Sequence, residues 1–286
     1  MVETIKLSVK NSSLSNEVEK KLANFLVNLQ HFEELSDNNI QIIKKCIKKI
    51  NNKYYPHLLK KEITLRLCFS IRSAYLKEKI IKNYHILDRK KKKILYLYSD
   101  KKQDILTIAN HYQLSPLTVF RYILKNKYGK KKYEKIKKNF KKNLSERDYK
   151  EMNIGIQHDI IAPFDQDRIA ELSQEFEEDL EKYLIKHDVK YKTQEMLQEE
   201  QTKAFGRPIN TPDFLILSDL YINDKKINWI DAKNFYGAST FLIKKKLNKQ
   251  TKKYIDKWGY GSVVFSLGYS SKLKHENILF LDYGLL

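Results

Sequence analysis

Two short segments of the C-terminal half carry the residue types that metal-assisted hydrolysis of a phosphodiester needs. Thr211-Pro212-Asp213 precedes the apolar run FLILSDLYI, and Asp231-Ala232-Lys233 ends the run INWIDAK. Carboxylates are protein ligands that Mg²⁺ prefers, and an ammonium group nearby can orient the attacking water or stabilise developing charge. Asp213, Asp231 and Lys233 are therefore our candidates for a catalytic site.

The spacing of the two segments predicts how they meet. The apolar runs flank the polar residues 223–226, which is typical of a β-hairpin. A hairpin returns the chain on itself, so Asp213 at its beginning and Asp231 near its end would lie together. Residues two apart share a face of a strand, so Lys233 would project to the same side as Asp231. Two alternatives remain open: Pro212-Asp213 as an ordinary turn, and Asp231 with Lys233 as an exposed strand-end pair.

Helices are predicted on both sides of this hairpin. Residues 167–187 carry an apolar stripe among many acids, and residues 245–258 return to helical periodicity. In the second of these helices, Gln250 and Tyr254 are four residues apart and share a face. The runs SVVFSLG and NILFLDY predict two more strands. Helix, strands, helix and strands in this order are typical of an α/β domain.

The arrangement resembles the PD-(D/E)XK nuclease superfamily. Pro212-Asp213 matches the PD element, and Asp231-Ala232-Lys233 matches the Asp form of the (D/E)xK element. The resemblance implies a restriction-endonuclease-like fold in which Asp213 and Asp231 bind Mg²⁺ or Mn²⁺, helped by the Ala232 carbonyl. It also implies that Lys233 positions or activates the water that attacks phosphorus.

The resemblance extends to the flanking helices. In the superfamily the preceding helix supplies a third acid, for which Glu177 is the best match and Glu178 and Glu195 are rivals. Gln250 and Tyr254 resemble the QxxxY element, which implies that they support the catalytic lysine or the DNA.

A narrower resemblance is to the codanin-interacting nuclease family. It rests on TPDF, NWIDAKNFYG, the glutamine-bearing helix and KWGYGSVVF, within residues 167–270, and on helix-turn-helix modules ahead of the nuclease domain. The chain departs from the family in having Asp231 where a glutamate is common, and in a longer segment, EEQTKAFGRPIN, before TPDF. The resemblance implies branched or structured DNA as substrate and, in a eukaryote, a nuclear location and a codanin-like protein partner.

The two halves of the chain differ in charge. Residues 1–150 hold 36 Lys+Arg and 14 Asp+Glu, whereas residues 151–286 hold 19 and 21. A basic domain attracts polyanions, of which nucleic acid is the commonest, although a lysine-rich solvated surface has the same composition. We predict a helical DNA-binding domain over 1–150 and a nuclease-like domain over 151–286, with residues 144–166 as the connection between them.

Residues 103–126 follow the helix-turn-helix pattern. Ala109 is a small residue in the first helix, a short turn follows, Ser115 can cap the second helix, and Pro116 suits its first turn. An ordinary helical hairpin is the alternative. The second helix of such a motif enters the major groove of DNA. The candidate nucleic-acid-binding residues are Ser115, Thr118, Arg121 and Lys125 on this motif, and Lys244 and Lys245 near the candidate catalytic site.

The remaining patterns complete the prediction. Apolar residues at helical spacing over 16–50 and 58–82 indicate a helical bundle, so the expected class is α+β: a helical helix-turn-helix domain followed by an α/β domain. No apolar run approaches the roughly 20 residues that span a bilayer, and the N-terminus has no signal-peptide pattern. We expect an intracellular, metal-dependent DNA endonuclease, or alternatively a non-catalytic DNA-binding or adaptor protein that keeps a nuclease fold. The sequence predicts no oligomeric state.

Overall fold

The structure is a computed structural model that describes residues 4–10, 13–30, 32–54, 62–161 and 166–285. The α-helices of this part are α1 (Asn16–Leu29), α2 (Asp37–Tyr54), α3 (Leu65–Asn83), α4 (His85–Arg89), α5 (Lys91–Ser99), α6 (Ile105–Tyr112), α7 (Pro116–Tyr128), α8 (Lys130–Lys138), α9 (Phe140–Asn143), α10 (Glu146–Gln157), α11 (Gln166–Lys186), α12 (Gln194–Phe205) and α13 (Phe241–Trp258). The strands are β1 (Thr4–Leu7), β2 (Tyr191–Thr193), β3 (Phe214–Ile216), β4 (Asp219–Ile222), β5 (Lys225–Lys226), β6 (Trp229–Lys233), β7 (Gly261–Phe265) and β8 (Ile278–Asp282). This mixture confirms the predicted α+β class.

The chain forms two compact units that alternate along the sequence. The first comprises residues 1–22, 44–71 and 167–286, and the second comprises residues 23–43 and 72–166. This division differs from the predicted one at residue 150. One reason is that the N-terminal strand β1 pairs with β4. Another is that the backbone N–H of Tyr236 donates to Ser70 Oγ at 2.9 Å, which ties the segment 44–71 to the C-terminal part of the chain.

The larger sheet lies in the first unit and has the strand order β2-β3-β6-β7-β8. Strands β6, β7 and β8 are parallel, whereas β3 runs antiparallel to both of its neighbours. Ile230 and Val264 pack in the core cluster that contains the apolar side chains of α11, and Trp229 and Val263 pack in the cluster that contains those of α13. Because neighbouring residues of a strand point to opposite faces, α11 and α13 cover opposite faces of the sheet.

The predicted hairpin is divided between two sheets. Its outer part is the β3–β6 pair, and its inner part is the β4–β5 pair, which belongs to a sheet of order β1-β4-β5. The single strand predicted for FLILSDLYI is therefore wrong. The chain leaves the larger sheet at Leu217 and Ser218, where both backbone N–H groups donate to the Lys190 carbonyl oxygen. Strand β1 was not predicted, and Thr4 lies opposite Asp219 in its parallel pairing with β4.

Helices α6 and α7 lie in the second unit and are the two helices predicted over residues 103–126. Asp104 caps α6 by accepting the Thr107 N–H at 2.8 Å, and Ser115 caps α7 by accepting the Thr118 N–H at 3.2 Å. Gln113 ends α6 in the left-handed region at a φ of 52°, which reverses the chain between the helices. The apolar faces of both helices are buried in one core cluster, as the periodicity predicted.

The predicted connection over 144–166 is wrong for most of its length, because residues 146–157 form α10. This helix is held by buried carboxylates that sequence periodicity does not reveal. Asp148 accepts hydrogen bonds from the hydroxyls of Tyr98 and Tyr128, both at 2.6 Å, and Glu151 accepts the Ile105 N–H at 2.7 Å. Residues 162–165 of the predicted connection lie outside the described part.

The helical prediction for the N-terminal region is confirmed with different boundaries. The segment 16–50 contains two helices, α1 and α2, and α3 begins at Leu65. Residues 58–61, where the predicted helical pattern of residues 58–82 begins, lie outside the described residues. No described helix combines the length and the apolar character that crossing a bilayer requires.

Candidate active site

Asp213 and Asp231 meet at the end of the β3–β6 pair. The last paired residues are Phe214 and Ile230, so the next step of the antiparallel register places Asp213 opposite Asp231. The backbone N–H of Ala232 donates to Asp213 Oδ2 at 2.6 Å. Asp231 is 0% exposed and Asp213 is 9% exposed. The structure therefore brings the two carboxylates together, and neither is an exposed turn or strand-end residue.

Lys233 lies on the same side of β6 as Asp231, as strand alternation predicted. Its Nζ forms an ion pair with Asp231 Oδ2, and its side chain is only 16% exposed. Burial alone would lower the pKa of Lys233, but the nearby charges of Asp231 and Asp213 outweigh it and raise that pKa. Lys233 is therefore held in its ammonium form beside two buried acids.

The two acids carry more negative charge than this ammonium group offsets. Burial, and then the proximity of Asp231, raises the pKa of Asp213 to about 8. Burial also raises the pKa of Asp231, against the opposing effect of Lys233. A buried carboxylate without enough positive charge beside it favours its protonated form. The pair is thus an environment that a further cation would stabilise.

Helix α13 holds one side of the site. Gln250 Nε2 donates to Asp231 Oδ1 at 3.0 Å, and the Tyr254 hydroxyl donates to the Thr211 carbonyl oxygen at 3.2 Å. Gln250 Nε2 is also 3.5 Å from the Tyr254 hydroxyl. The two residues share a face, as their spacing predicted. Their direct contacts are with Asp231 and with the segment before Asp213, whereas the sequence predicted support of Lys233 or of the substrate.

Trp229 and two glycines fix the strand that carries Asp231. The Trp229 indole is completely buried, and its Nε1 donates to the Gly259 carbonyl oxygen at 2.9 Å. A Cβ atom at Gly261 would lie 2.1 Å from the indole ring, so only glycine allows β7 to approach the ring this closely. These contacts explain why INWIDAK is followed by the glycine-containing segment KWGYG, because the backbone at both glycines packs against the Trp229 indole.

Helices α11 and α12 form the other side of the site, around a groove of about 510 Å³ that we call the acidic groove. Glu177, Glu178, Glu195 and Asp213 line it. Burial raises the pKa of Glu177, and the charges of Glu195 and Asp231 act in the same direction, whereas Lys233 opposes them. Glu177 therefore lies near the two aspartates. Its two predicted rivals line the same groove.

Helix α12 contributes contacts that sequence analysis missed. Gln194 Nε2 donates to the Thr211 carbonyl oxygen at 3.2 Å and lies 3.4 Å from Asp213 Oδ1. Gln201 Oε1 accepts the backbone N–H groups of Ile209 and Asn210, at 2.7 and 2.9 Å. These two glutamines hold the segment that leads into Asp213. The capping residue Thr193 before a run of helix-forming residues was the available signal for α12.

The donor set of the site suits a hydrated divalent cation. Within the described ranges, no three carboxylate, imidazole or thiol side chains converge closely enough to hold a metal ion by themselves. Mg²⁺, however, is commonly bound by one or two carboxylates, with water and substrate phosphates as its other ligands. Asp213 and Asp231 are buried, adjacent and rich in negative charge, so they fit such an ion. Glu177 and the Ala232 carbonyl remain predictions as further ligands.

Comparison with known proteins covers the part of the chain that carries this site. Residues 144–283 match the model of a family described as "Protein of unknown function TPD sequence-motif". An uncharacterized protein of Acanthamoeba polyphaga mimivirus is 36% identical over 114 residues, which are 38% of this chain and 40% of that protein. The match spans less than half of that relative, and no solved structure matches the chain.

Residues 209–254 contain a second groove beside the site, which we call the basic groove. It has a volume of about 400 Å³ and is lined by Lys246, Lys249 and Lys253 together with Gln250 and Tyr254. No carboxylate of the described part forms an ion pair with any of the three lysines. The groove therefore presents uncompensated positive charge next to Gln250, which donates to Asp231.

The two lysines predicted to bind nucleic acid near the candidate catalytic site lie outside this groove. Lys244 and Lys245 do not line it, and the exposed Lys245 lies over the Phe241 ring at 5.7 Å. Lys246, Lys249 and Lys253 are three, four and seven residues apart, the spacing of one helix face. That spacing was the signal that sequence analysis could have used.

One residue predicted to contact DNA through the helix-turn-helix is wrongly assigned. Ser115 is 0% exposed, and its hydroxyl donates to the buried carboxylate of Asp159, so it belongs to the interior of the second unit. Thr118 is half-buried beside it, whereas Arg121 and Lys125 are exposed. The last three residues remain predicted contacts.

Proposed function

We propose that the protein is a metal-dependent DNA nuclease of the PD-(D/E)XK kind. The observation that carries this proposal is the convergence of Asp213, Asp231 and Lys233 at the end of one strand pair. The two acids are buried next to each other, and the ammonium group of Lys233 forms an ion pair with Asp231. Strongly perturbed acids gathered around a groove are a common property of catalytic sites. The superfamily resemblance of the two motifs points to the same chemistry.

A divalent cation held by Asp213 and Asp231 would polarise the scissile phosphate and lower the pKa of a bound water. The chain's own residues orient this site. Gln250 fixes one oxygen of Asp231, and the Ala232 N–H fixes one oxygen of Asp213. Lys233 would supply positive charge to the phosphate oxygens on which negative charge develops, which is a common means of transition-state stabilisation.

Charge supports DNA as the substrate. The acidic groove would repel a polyanion in the absence of a cation, whereas the basic groove would attract its phosphates. The exposed lysines of α8 and the helix-turn-helix add a second basic surface in a part of the chain that is strongly basic overall. Branched or structured DNA is the substrate class that the family resemblance suggests, and it belongs to this proposal.

The decisive test is cleavage of single-stranded, duplex and branched DNA by the full chain with Mg²⁺ or Mn²⁺. We expect cleavage by the wild type and a loss of at least about a hundredfold in Asp213→Asn and Lys233→Met. Asp224→Asn is the matched control, because Asp224 is an exposed turn residue at a φ of 61°, a conformation that asparagine tolerates. Absence of cleavage in all substrates, or equal cleavage by the wild type and both site variants, would refute the proposal.

A non-catalytic DNA-binding or adaptor protein with a nuclease fold is the second candidate. Its supporting observation is the basic charge of α8 and of the basic groove, which would attract DNA whether or not the acids hold a metal ion. In that case the wild type would bind DNA in a salt-dependent manner, and Asp213→Asn would bind it equally well, without cleavage in any metal.

A nuclear location and a codanin-like partner follow from the family resemblance alone and are further proposals. Co-purification from nuclear extract with a tagged codanin homologue would test both, and recovery of the protein outside the nucleus without that partner would refute them.

A further inference from the structure

The second unit contains a cavity of about 460 Å³ between α7, α8, α9 and α10, which we call the α7–α10 pocket. Its floor is aromatic and aliphatic. Phe120 and Tyr133 are 1% and 4% exposed, and Phe140 lies partly exposed at its margin. A volume in this range suits a small organic group, since ligand pockets commonly measure about 300–1,000 Å³.

The margin of the pocket is cationic. Arg121, Lys125 and Lys137 line it, and the Nζ atoms of the two lysines lie 5.4 and 5.9 Å from the centre of the Tyr133 ring. The charge of Lys137 is offset by an ion pair with Glu134, in which Nζ lies 3.2 Å from Oε2. Arg121 and Lys125 form no ion pair with a carboxylate of the described part. The complementary ligand is therefore a planar apolar group that carries negative charge on one side.

The positive charge continues beyond the pocket. Helix α8 has the sequence KKKYEKIKK, and α9 follows with FKKN. An isolated small anion would need only the two cations at the margin. A surface that continues along two helices fits an extended polyanion, of which one unit enters the pocket. Nucleic acid has this chemistry, because each unit joins a planar base to a phosphate.

We propose that the α7–α10 pocket takes one unpaired nucleotide of a DNA strand, with its base against the aromatic floor and its phosphates near Arg121 and Lys125. The inference rests on the DNA binding in the proposed function, and it narrows the substrate to DNA with an unpaired base. It also changes the role of α7. A recognition helix in a major groove presents a convex surface to base edges, whereas Arg121 borders a concavity.

The binding test compares a plain duplex with the same duplex carrying one unpaired adenine. Fluorescence anisotropy with the full chain, in EDTA to prevent cleavage, should show about tenfold tighter binding of the duplex with the unpaired base, because stacking on an aromatic side chain has about this effect. A fluorescent adenine analogue at the unpaired position should be quenched on binding.

Two charge variants separate the pocket from the general basic surface. Arg121→Gln with Lys125→Gln should lose most of the preference for the unpaired base. Lys131→Gln with Lys138→Gln removes the same charge from exposed positions of α8 that do not line the pocket, and should keep the preference while weakening binding to both duplexes. Phe140→Ala should reduce the quenching of the analogue, and urea unfolding of each variant checks that it is folded.

Several results would overturn the inference. Equal affinity for the two duplexes would refute it while leaving nuclease activity and DNA binding in place. A preference that both charge variants retain would place the unpaired base elsewhere. Displacement of the analogue-bearing duplex by micromolar adenosine monophosphate, without loss of plain-duplex binding, would assign the pocket to free nucleotides. Absence of binding to either duplex would refute the DNA-binding proposal together with this inference.

Discussion

Replacing Gly261 by alanine should destabilise the unit that carries the candidate site. The added Cβ would lie 2.1, 2.2 and 2.5 Å from three atoms of the Trp229 indole. The ring has little room to move, since it is completely buried, packs against Tyr254 with ring centroids 5.3 Å apart, and donates to the Gly259 carbonyl oxygen. Overpacking a core costs about 1–3 kcal/mol, and loss of the indole hydrogen bond about 1 kcal/mol. We therefore expect the free energy of unfolding to fall by about 3 kcal/mol.

Urea unfolding followed by circular dichroism measures this change. Gly155→Ala is the matched control, because its nearest new neighbour is the Leu117 Cδ2 atom at 3.0 Å, which can move, and because alanine favours the helix around it. Combining Gly261→Ala with Trp229→Phe should cost less than the sum of the two single changes, since the smaller ring leaves space for the methyl group. A loss below about 0.5 kcal/mol in Gly261→Ala, or simple additivity in the double variant, would refute the packing argument.

Three further outcomes are expected. Gln250→Ala should weaken Mn²⁺ binding by about tenfold to a hundredfold in calorimetry, because it releases an oriented carboxylate, whereas the exposed Asn248→Ala should not. Asp148→Asn should lower the free energy of unfolding by about 2–3 kcal/mol at neutral pH, because three donors contact this carboxylate. Burial raises the pKa of Asp148, but these contacts outweigh it and hold the pKa below 3.8, so the difference from wild type should shrink as the pH falls below that value. Lys249→Gln with Lys253→Gln should make the salt dependence of DNA affinity shallower by about two charges; an unchanged slope would mean that the basic groove does not contact phosphate.

The parts of the fold that follow local rules were predictable from the sequence. Ser115 and Pro116 mark the beginning of α7 because capping and the first helical turn depend on neighbouring residues. The convergence of Asp213 and Asp231 was predictable because one antiparallel register connects them. Ser115 also shows the limit of this reasoning. Its capping role was correctly predicted, but its burial depends on Asp159, 44 residues away.

The parts that depend on distant contacts were not predictable. Strand β1 has four residues and a mixed exposure pattern, and its pairing with β4 is decided by residues more than two hundred positions away. Helix α10 has buried carboxylates where periodicity expects apolar residues, because Tyr98 and Tyr128 donate to Asp148 and the Ile105 N–H donates to Glu151. The third acid was undecidable for another reason. Glu177 lines the same groove as its rivals Glu178 and Glu195. Spacing along the sequence therefore could not decide which of the three acids lies closest to the aspartates.

A purely structural role does not explain why residue 213 is an aspartate. Strand β3 begins one residue later. The Asp213 carboxylate accepts a hydrogen bond from the Ala232 N–H, which lies just beyond the end of the β3–β6 pairing. An asparagine could accept the same hydrogen bond through its side-chain oxygen, without a buried charge. Burial and Asp231 instead raise the pKa of this acid to about 8. A carboxyl group whose pKa is higher in the folded than in the unfolded state destabilises the fold progressively as pH rises above 3.8 and up to the folded value.

Asp213→Asn is therefore expected to unfold at a higher urea concentration than the wild type at pH 7 in EDTA, and to lose cleavage. Added Mn²⁺ should stabilise the wild type more than the variant, because a ligand stabilises the state that binds it. Asp224→Asn serves as control in both measurements and should behave as wild type. A variant that is less stable than the wild type in EDTA would show that the carboxylate is needed for folding, and the argument that its charge serves a ligand would fail.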